Sequence, residues 1–349
     1  MPFRPSRSRG SGYICRVEVY GSLEEASARG ALRGCAVAIG NLDGVHLGHQ
    51  QLLQETRALA AAHGARAVAL TFEPHPVRVL RPELAPPLLT ELPRKLELLA
   101  EQGMDAVVVQ PFDLDYAQSS AEEFAARDLA GLLAAADVVV GWDFTAGRGR
   151  TRVEALREVM RAHGIALHVI QPVTSDGLTV SSTKIREFLL EGKVEAAAAL
   201  LTRPHAVQGV VERGAGRGRG FGFATANLQA GAMFPAAGVY AVRVLLGGEL
   251  GRELRGASAE QHRFRLEGAA PYGGVCNVGV KPTVETASPV LAETHLFDFD
   301  GRDLYGDRIR VAFVRRLRDE RRFPSIDALR AQIAQDAARA RDLLRQAPM

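Results

Sequence analysis

Short apolar runs alternate with amphipathic stretches through the first half of the chain. Five runs have the length and the β-branched composition of strands buried on both faces, namely Cys35–Ile39, Ala67–Phe72, Ala106–Gln110, Asp137–Gly141 and Leu167–Ile170. The helix-forming stretches between them are Gln50–His63, Pro93–Gln102, Ala121–Ala134 and Thr151–His163. This alternation predicts a doubly wound parallel sheet, in which ligands bind beyond the carboxyl ends of the strands.

The pattern changes after about residue 203, where glycine becomes dense and the apolar runs become short. Runs separated by turn residues are typical of an antiparallel barrel or sandwich. The predicted strands are Gly238–Leu246, Phe264–Leu266, Gly274–Val280, Thr294–Phe299 and Asp307–Phe313. A final helix is predicted from an N-cap at Ser325 to about Arg345. We therefore expect an α/β domain followed by a β domain with a C-terminal helix.

Composition supports a globular protein of two domains. The chain has 349 residues, of which 47% are hydrophobic and 24% charged, so there is ample apolar material to bury. The net charge is +3, and 39 of the 43 basic residues are Arg; the four lysines are Lys95, Lys184, Lys193 and Lys281. Because the arginines are scattered and Ala and Gly are abundant, we attribute this bias to GC-rich codons and expect no nucleic-acid partner.

Cysteine usage and hydropathy indicate a cytoplasmic protein. Cys15, Cys35 and Cys276 are too few and too scattered for a disulfide framework or a zinc site. No run approaches the roughly 18 apolar residues of a membrane span, so we expect no membrane partner. The Arg- and Ser-rich start lacks the apolar core of a secretory signal, and we predict a disordered tail over residues 1–14.

The segment GNLDGVHLGH runs from Gly40 to His49, directly after the first of the predicted strands. Gly48 permits close approach of a ligand, and the start of the following helix adds partial positive charge. The imidazoles of His46 and His49 could then hydrogen-bond phosphate oxygens that gain charge as a nucleotidyl group is transferred. The short motif is also compatible with an ordinary strand–helix turn that carries incidental histidines.

Three further segments, Thr71–Pro76, Val140–Phe144 and Val180–Arg186, accompany this motif. The last of them places a cluster of hydroxyl groups at a predicted helix start, followed by the cations of Lys184 and Arg186. Such an arrangement is a reasonable clamp for a triphosphate. Taken alone, its first hydroxyls would also fit a simple helix cap.

Together these segments resemble the FMN adenylyltransferase module of the bacterial bifunctional riboflavin kinase/FAD synthetase family. The resemblance implies a nucleotidyltransferase-like fold that binds ATP and FMN, with His46 and His49 as catalytic residues. It implies nucleotide- or substrate-binding roles for Gly40, Asn41, Asp43, Gly44, Gly48, Asp143, Ser181, Ser182, Thr183 and Arg186. For His75, which lies between two prolines, a role in the flavin pocket and a role in turning the chain both remain open.

A glycine- and arginine-rich stretch over Gly214–Gly222 precedes Thr225 and Asn227. Alone, the stretch would suit a flexible linker or a weak RNA-binding segment, but a linker does not predict the strands that follow. Thr225 and Asn227 alternate along an extended chain, so their side-chain oxygens face one side. Neutral oxygens, together with phosphates and water, suit Mg²⁺.

This stretch is similar to the riboflavin kinase segment that ends in Pro-Thr-Ala-Asn, with Ala224 in place of the proline. The resemblance implies an antiparallel β-barrel, Mg²⁺ held by Thr225 and Asn227, and a base at Glu293, within an E-x-H-L segment, near the ribityl hydroxyl of the flavin. It also implies nucleotide or substrate binding by Gly214, Gly218, Arg219 and Gly222. Taken without the resemblance, Glu293 fits a solvated strand residue better.

The motifs occur in the family's order over roughly residues 35–340. We therefore predict an FMN adenylyltransferase domain at residues 15–190 and a riboflavin kinase domain at residues 191–345. The expected substrates are ATP, riboflavin and FMN, with Mg²⁺ as cofactor, while the oligomeric state stays open. One alternative is a riboflavin kinase whose first domain is structural or regulatory. The other is a non-catalytic protein that binds nucleotide or RNA.

The chain departs from the family's pattern at Leu42, where Phe is usual, and between Thr145 and Val153. There Ala146 replaces a usual Phe, and a usual Gly-Asp is absent at Arg152 and Val153. We expect the loss of the aromatic residue to alter the wall of the nucleotide pocket. The arginines of this segment could attract triphosphate, or the segment could simply be solvated.

Overall fold

The computed structural model describes residues 14–212, 225–247, 261–265, 271–280, 290–299 and 303–347. Its α-helices are α1 (Leu23–Arg29), α2 (Leu47–His63), α3 (Pro76–Leu80), α4 (Leu92–Glu101), α5 (Ala121–Glu123), α6 (Val153–Ala162), α7 (Ser182–Leu190), α8 (Val194–Leu201) and α9 (Ile326–Gln346). A π-helical segment, Phe124–Leu132, continues α5, and single 3₁₀ turns cover Pro82–Leu84 and Tyr116–Gln118.

The strands fall into a first group up to residue 179 and a second group after residue 204. The first group is β1 (Ile14–Tyr20), β2 (Ala36–Ile39), β3 (Ala67–Glu73), β4 (Ala106–Pro111), β5 (Asp137–Gly141), β6 (Thr145–Ala146), β7 (Thr151–Arg152), β8 (Ala166–Ile170), β9 (Thr174–Ser175) and β10 (Leu178–Thr179). The second group is β11 (His205–Glu212), β12 (Thr225–Gln229), β13 (Gly238–Leu246), β14 (Gln261–Arg265), β15 (Tyr272–Val280), β16 (Val290–Leu296) and β17 (Arg308–Arg318).

A seven-stranded sheet with the order β14-β1-β4-β3-β2-β5-β8 forms the N-terminal module, and all neighbours except β14 and β1 are parallel. Successive residues of one strand enter different cores: Val37 lies in the cluster under α1 and α6, and Ala38 in the cluster under α2 and α4. Burial on both faces explains the continuous apolar runs, and the predicted doubly wound sheet is confirmed.

The strand order changes direction at β2. The chain runs from β2 through β3 to β4 on one side, whereas β5 and β8 lie on the other side of β2. In open parallel sheets a ligand crevice forms beyond the carboxyl ends of the two strands at such a switch. The loops that follow β2 and β5 therefore border the expected binding crevice.

A closed barrel with the order β11-β12-β16-β15-β13-β17 forms the C-terminal module, which settles the choice between barrel and sandwich. Its neighbours are antiparallel. Tyr240 and Phe313 fill the interior, where their rings make an edge contact with centroids 5.4 Å apart. Helix α9, capped by the Ser325 side chain, covers the outer face of β13 and β17 through Ala340. The predicted C-terminal helix is confirmed.

The prediction that Phe264–Leu266 belongs to the β domain is wrong. Residues 261–265 form β14, which pairs antiparallel with β1 at the edge of the N-terminal sheet. A parallel sheet that ended at β1 would leave a row of unpaired backbone groups, and β14 satisfies them. No pattern of apolar residues indicates which of two sheets a short strand will join.

Helix α6 begins at Val153 rather than at Thr151, because Thr151 and Arg152 pair with Thr145 and Ala146 in a short hairpin. The side chain of Ala146 is only 3% exposed and lies in the core cluster on one face of the N-terminal sheet. The expectation that this position forms part of a nucleotide-pocket wall is therefore wrong, because its side chain faces the core.

Helices α7 and α8 pack with the barrel core rather than with the sheet. Ile185, Leu189, Val194 and Leu200 are buried in the same cluster as Tyr240. The boundary at residues 190 and 191 stays a prediction, since these helices form a layer between the two modules. Across the described ranges, no helix has the length and apolarity to cross a membrane.

A buried cluster of charges joins the two modules. Arg310 of the barrel donates to Glu97 of α4, whose side chain is 3% exposed. Arg94 donates to the same carboxylate at 2.6 Å and to Glu101 at 2.8 Å. Because a buried ion that loses its partner is costly, this cluster fixes how α4 lies against β17.

The buried position of Ala146 generates a prediction. Ala146→Phe would force a larger side chain into a filled core, and we expect the free energy of unfolding to fall by about 1–3 kcal/mol. Denaturant unfolding monitored by circular dichroism measures this change. The exposed neighbouring change Arg148→Ala is the matched control and should leave stability unaltered. Tighter ATP binding by Ala146→Phe at unchanged stability would contradict this placement.

Candidate functional site

The loop that joins β2 to α2 has an unusual backbone. Leu42 (φ 51°), Gly44 (φ 83°) and Val45 (φ 40°) all adopt left-handed conformations. Such conformations are strained for residues other than glycine and persist only where surrounding contacts impose them. Leu42 and Val45 are fully buried, so their side chains anchor the loop in the core.

The two motif histidines lie at the start of α2. His46 is the N-cap, and its Nδ1 accepts a hydrogen bond from the backbone N–H of His49 at 3.4 Å. The two rings stack with centroids 3.7 Å apart and an interplanar angle of 16°. Since Nδ1 of His46 is an acceptor, the neutral ring carries its proton on Nε2. A Cβ at Gly48 would lie 3.3 Å from the His46 ring, so glycine suits that position.

Both histidines are held in their neutral forms. Burial, reinforced by the positive charges of Arg203 and Arg186, lowers the pKa of His46 to about 4. Burial also lowers the pKa of His49 well below its usual range, with His46, Lys95 and Arg203 adding to the effect. At neutral pH these rings are therefore hydrogen-bonding groups, and the positive charge around them comes from the Lys and Arg side chains.

Asp43 connects the loop to two other segments. Its carboxylate, in a residue 2% exposed, accepts from the N–H groups of Leu89 and Thr90 and from Arg186 Nη2 at 2.5 Å. The hydroxyl of Ser182 donates to the carbonyl oxygen of Asp43 at 3.0 Å. The structure thus brings the loop and the start of α7 together, as a shared site requires.

The hydroxyl-rich segment is in part a helix cap. Ser181 is the N-cap of α7 and accepts from the N–H of Lys184 at 3.2 Å, while Thr183 is exposed. Arg186 is committed to Asp43 and to the carbonyl oxygen of Pro87 at 2.7 Å. Capping and phosphate binding are compatible here, because N–H groups at a helix start can serve both.

The remaining predicted nucleotide-binding residues follow the carboxyl ends of β2 and β5. Gly40 and Asn41 follow β2, and the carbonyl oxygen of Asn41 accepts from Thr71 Oγ1 at 3.2 Å. Asp143 is exposed just beyond β5. His75 is the N-cap of α3 and accepts from the N–H of Val77 at 3.2 Å, so it does turn the chain. Its role in the flavin pocket stays a prediction.

The sequence did not single out Lys95 as a site residue. It is 3% exposed, its Nζ lies 3.5 Å from Thr71 Oγ1, and it acts electrostatically on His49. Burial lowers the pKa of Lys95, while Asp43 and Glu73 oppose that effect. One clue existed in the composition, because Lys95 is one of four lysines beside 39 arginines.

The candidate kinase residues form a row across three barrel strands. Glu293 of β16 is in register with Asn227 of β12 on one side and with Asn277 of β15 on the other. Directly opposed residues have their side chains on one face of a sheet. Asn277 donates from Nδ2 to Glu320 Oε1 at 3.0 Å, and neither residue was predicted as a site residue. Thr225 is one rung further along, opposite His295.

The side-chain oxygen of Asn227 fits a metal ligand. Asn227 is 6% exposed, and its Oδ1 is buried without a hydrogen-bond partner among the described residues. An amide oxygen without a hydrogen bond is a neutral oxygen ligand of the kind that Mg²⁺ binds. Within the described ranges, no group of three or more His, Cys, Asp or Glu side chains could hold a metal ion. The predicted residues Gly214, Gly218, Arg219 and Gly222 lie outside the described residues.

Comparisons with known proteins match both modules in order. The family model for FAD synthetase matches residues 28–184, and the model for riboflavin kinase matches residues 201–344. The chain is 36% identical over 311 residues to the bifunctional riboflavin kinase/FMN adenylyltransferase of Escherichia coli (strain K12), covering 88% of this chain and 92% of that one. It is 33% identical over 310 residues to the protein of that description from Bacillus subtilis (strain 168), covering 87% and 90%.

Among solved structures, the crystal structure of a macrolide-efflux protein from Streptococcus pneumoniae matches with a TM-score of 0.74 and 28% sequence identity. The match covers 88% of this chain and 94% of that chain. The likeness in fold therefore extends over both modules.

The pKa of a second buried histidine generates a prediction about stability. His205 donates from Nε2 to the carbonyl oxygen of Met233 at 2.7 Å, and burial lowers its pKa to about 4. Below pH 6.5 His205 becomes protonated in the unfolded chain but stays neutral in the native protein. The free energy of unfolding therefore falls as the pH falls from 6.5 toward 4. The loss is about 1.4 kcal/mol for each pH unit in that window.

Denaturant unfolding at several pH values measures this effect. His205→Gln keeps a donor for the Met233 carbonyl but does not titrate, so its stability should depend less steeply on pH between 6.5 and 4. Equal slopes for the wild type and the variant would contradict the prediction. His163→Gln, at a histidine without such burial, is the matched control.

Proposed function

The chain belongs to the family of bifunctional riboflavin kinase/FMN adenylyltransferases, and we propose that its two modules carry out both reactions at the sites described above. The C-terminal module phosphorylates riboflavin with ATP to give FMN. The N-terminal module transfers AMP from ATP to FMN and gives FAD and pyrophosphate. The observation that carries this conclusion is the match of both family models, in order, to the sheet module and the barrel module.

In adenylyl transfer, a phosphate oxygen of FMN attacks the α-phosphorus of ATP, and the bond to the β-phosphate bridging oxygen breaks. The attacking phosphate is already anionic at neutral pH, so no residue has to remove a proton. The task of the site is to stabilise the charge that builds up on the α-phosphate oxygens. Neutral His46, with its proton on Nε2, is a donor suited to that task, and Lys95 supplies nearby positive charge.

Phosphorylation of riboflavin differs, because the attacking hydroxyl carries a proton that must leave. We propose that the carboxylate of Glu293 accepts this proton. Glu293 lies in register between two asparagines on the outer face of the barrel. Thr225 and Asn227 would hold Mg²⁺, and the spare Asn227 oxygen supports that assignment. When bound, Mg²⁺ neutralises charge on the ATP phosphates.

We further propose that the protein acts in the cytoplasm on small-molecule flavins and ATP, without a nucleic-acid or membrane partner. The scattered arginines support the absence of a nucleic-acid surface.

One experiment distinguishes the bifunctional enzyme from the alternative, a riboflavin kinase with an inactive first module. Purified protein is incubated with riboflavin, ATP and Mg²⁺, and FMN and FAD are separated over time. A kinase alone would stop at FMN.

The histidine pair generates a prediction about one activity only. His46→Ala and His49→Ala should each lower FAD formation from FMN and ATP at least tenfold, which corresponds to about 1.4 kcal/mol of barrier. Riboflavin phosphorylation should stay within about twofold of the wild type, because its site lies on the barrel. His163→Ala is the matched control, since that ring pairs with Glu122 away from the loop. Equal loss of both activities would show that the pair only supports folding.

The row across the barrel generates the converse prediction. Asn227→Ala removes an oxygen ligand, and Glu293→Gln removes the proton acceptor while its shape is retained. Both variants should lose FMN formation by at least about tenfold yet convert supplied FMN to FAD at the wild-type rate. Increasing Mg²⁺ should partly restore Asn227→Ala but not Glu293→Gln. Kinase rates like the wild type in Glu293→Gln would show that another group takes the proton.

A further inference from the structure

Arg203 lies between α8 and β11, in the region that matches the riboflavin kinase model, yet its side chain enters the loop of the other module. Its Nη2 donates to the carbonyl oxygen of Gly44 at 2.5 Å. Its Nη1 donates to the carbonyl oxygens of Val45 at 3.2 Å and Leu201 at 2.9 Å. One planar guanidinium therefore joins the two modules at the residues that lead into His46.

The two loop carbonyls belong to residues with left-handed backbones. Gly44 and Val45 have φ angles of 83° and 40°, and a loop of this kind needs external contacts to persist. Gln50 supplies a second contact, because its Nε2 donates to the carbonyl oxygen of Val45 at 3.0 Å and to Thr202 Oγ1 at 2.9 Å. The orientation of the peptide groups before His46 is thus set by the segment at residues 201–203.

Within the part of the chain that the structure describes, the charge of Arg203 is not used in a carboxylate pair. In the buried cluster between the modules, Glu97 binds Arg94 and Arg310, whereas the hydrogen bonds of Arg203 go to backbone carbonyl oxygens. Burial and the neighbouring Arg94 lower the pKa of Arg203, but a guanidinium starts far above neutrality and stays charged at pH 7. Its positive charge acts on both His46 and His49.

We propose that Arg203 is a positioning residue for adenylyl transfer, which fixes the peptide groups of Gly44 and Val45 so that the stacked histidines face the reacting phosphate. This inference rests on the proposed function. A planar fork with several N–H donors can reach two successive carbonyls in one orientation. An ammonium group keeps the charge but lacks that fork.

The inference has a consequence for pH dependence. The charged groups that face the histidines are Arg203, Arg186 and Lys95, while the Asp43 carboxylate is paired with Arg186. Loss of the Arg203 charge should raise the pKa of both rings. A proton on Nδ1 of His46 would break the hydrogen bond from the His49 N–H, so the acid limb of FAD formation should move to higher pH in Arg203→Ala and should stay in place in Arg203→Lys.

The experiment compares full-length Arg203→Ala, Arg203→Lys and the wild type. FAD formation from FMN and ATP, riboflavin phosphorylation and thermal unfolding are measured for each, with the pH profile of FAD formation. In Arg203→Ala we expect kcat for FAD formation to fall at least tenfold, KM for ATP to stay within threefold, and phosphorylation to stay within twofold. Free guanidinium ion should restore part of the lost rate. Arg203→Lys should lose rate without the shift of the acid limb.

Arg315→Ala is the matched control, because Arg315 pairs with Glu195 at a half-exposed position away from the loop. Unchanged FAD formation in Arg203→Ala would overturn the inference, and so would a parallel loss of both activities without a shift of the acid limb. If Arg203→Ala does not fold, a wild-type kcat in folded Arg203→Lys overturns it. Failure of the wild type to make FAD would instead refute the proposed function.

Discussion

The buried carboxylate of Asp43 is the contact on which the arrangement of the loop before α2 depends. It accepts hydrogen bonds from the N–H groups of Leu89 and Thr90 and from the guanidinium of Arg186. Three chain segments that are far apart in sequence thereby meet at one side chain. A carboxylate buried to this degree is stable only when such donors surround it, so the loop, the segment before α4 and the start of α7 have one mutual arrangement.

The same arrangement continues into the barrel. The carbonyl oxygen of Leu88 accepts from the N–H of Met233 at 2.7 Å, and Glu97 of α4 is paired with Arg310 of β17. Polar contacts buried between modules contribute less to stability than to a defined orientation, because desolvation offsets much of their attraction. The loop that carries His46 is therefore oriented by contacts that reach the barrel, although each module has a hydrophobic core of its own.

Local sequence was sufficient to predict those elements whose structure depends mainly on residues of the same segment. The parallel strands followed from continuous apolar runs, and the cap at Ser325 and the loop before α2 were predicted close to their observed bounds. Long-range placement was not predictable. Arg203 meets Gly44 across 159 positions, and Lys95 meets Thr71 across 24. Ala146 was misplaced for a related reason, since a residue before a glycine turn can face a core or a pocket with the same sequence.

Strand β14 has a consequence for how the protein forms. The chain completes β13 in the barrel, adds β14 to the edge of the N-terminal sheet through its pairing with β1, and then returns to the barrel with β15. Domains usually fold one after another as the ribosome releases them. Here the first sheet gains its last strand only after residue 265 has emerged, when part of the second module has already been made. During synthesis the edge of β1 therefore stays unpaired until β14 has been made. The N-terminal sheet is synthesised first, but it is completed only after part of the barrel has been synthesised.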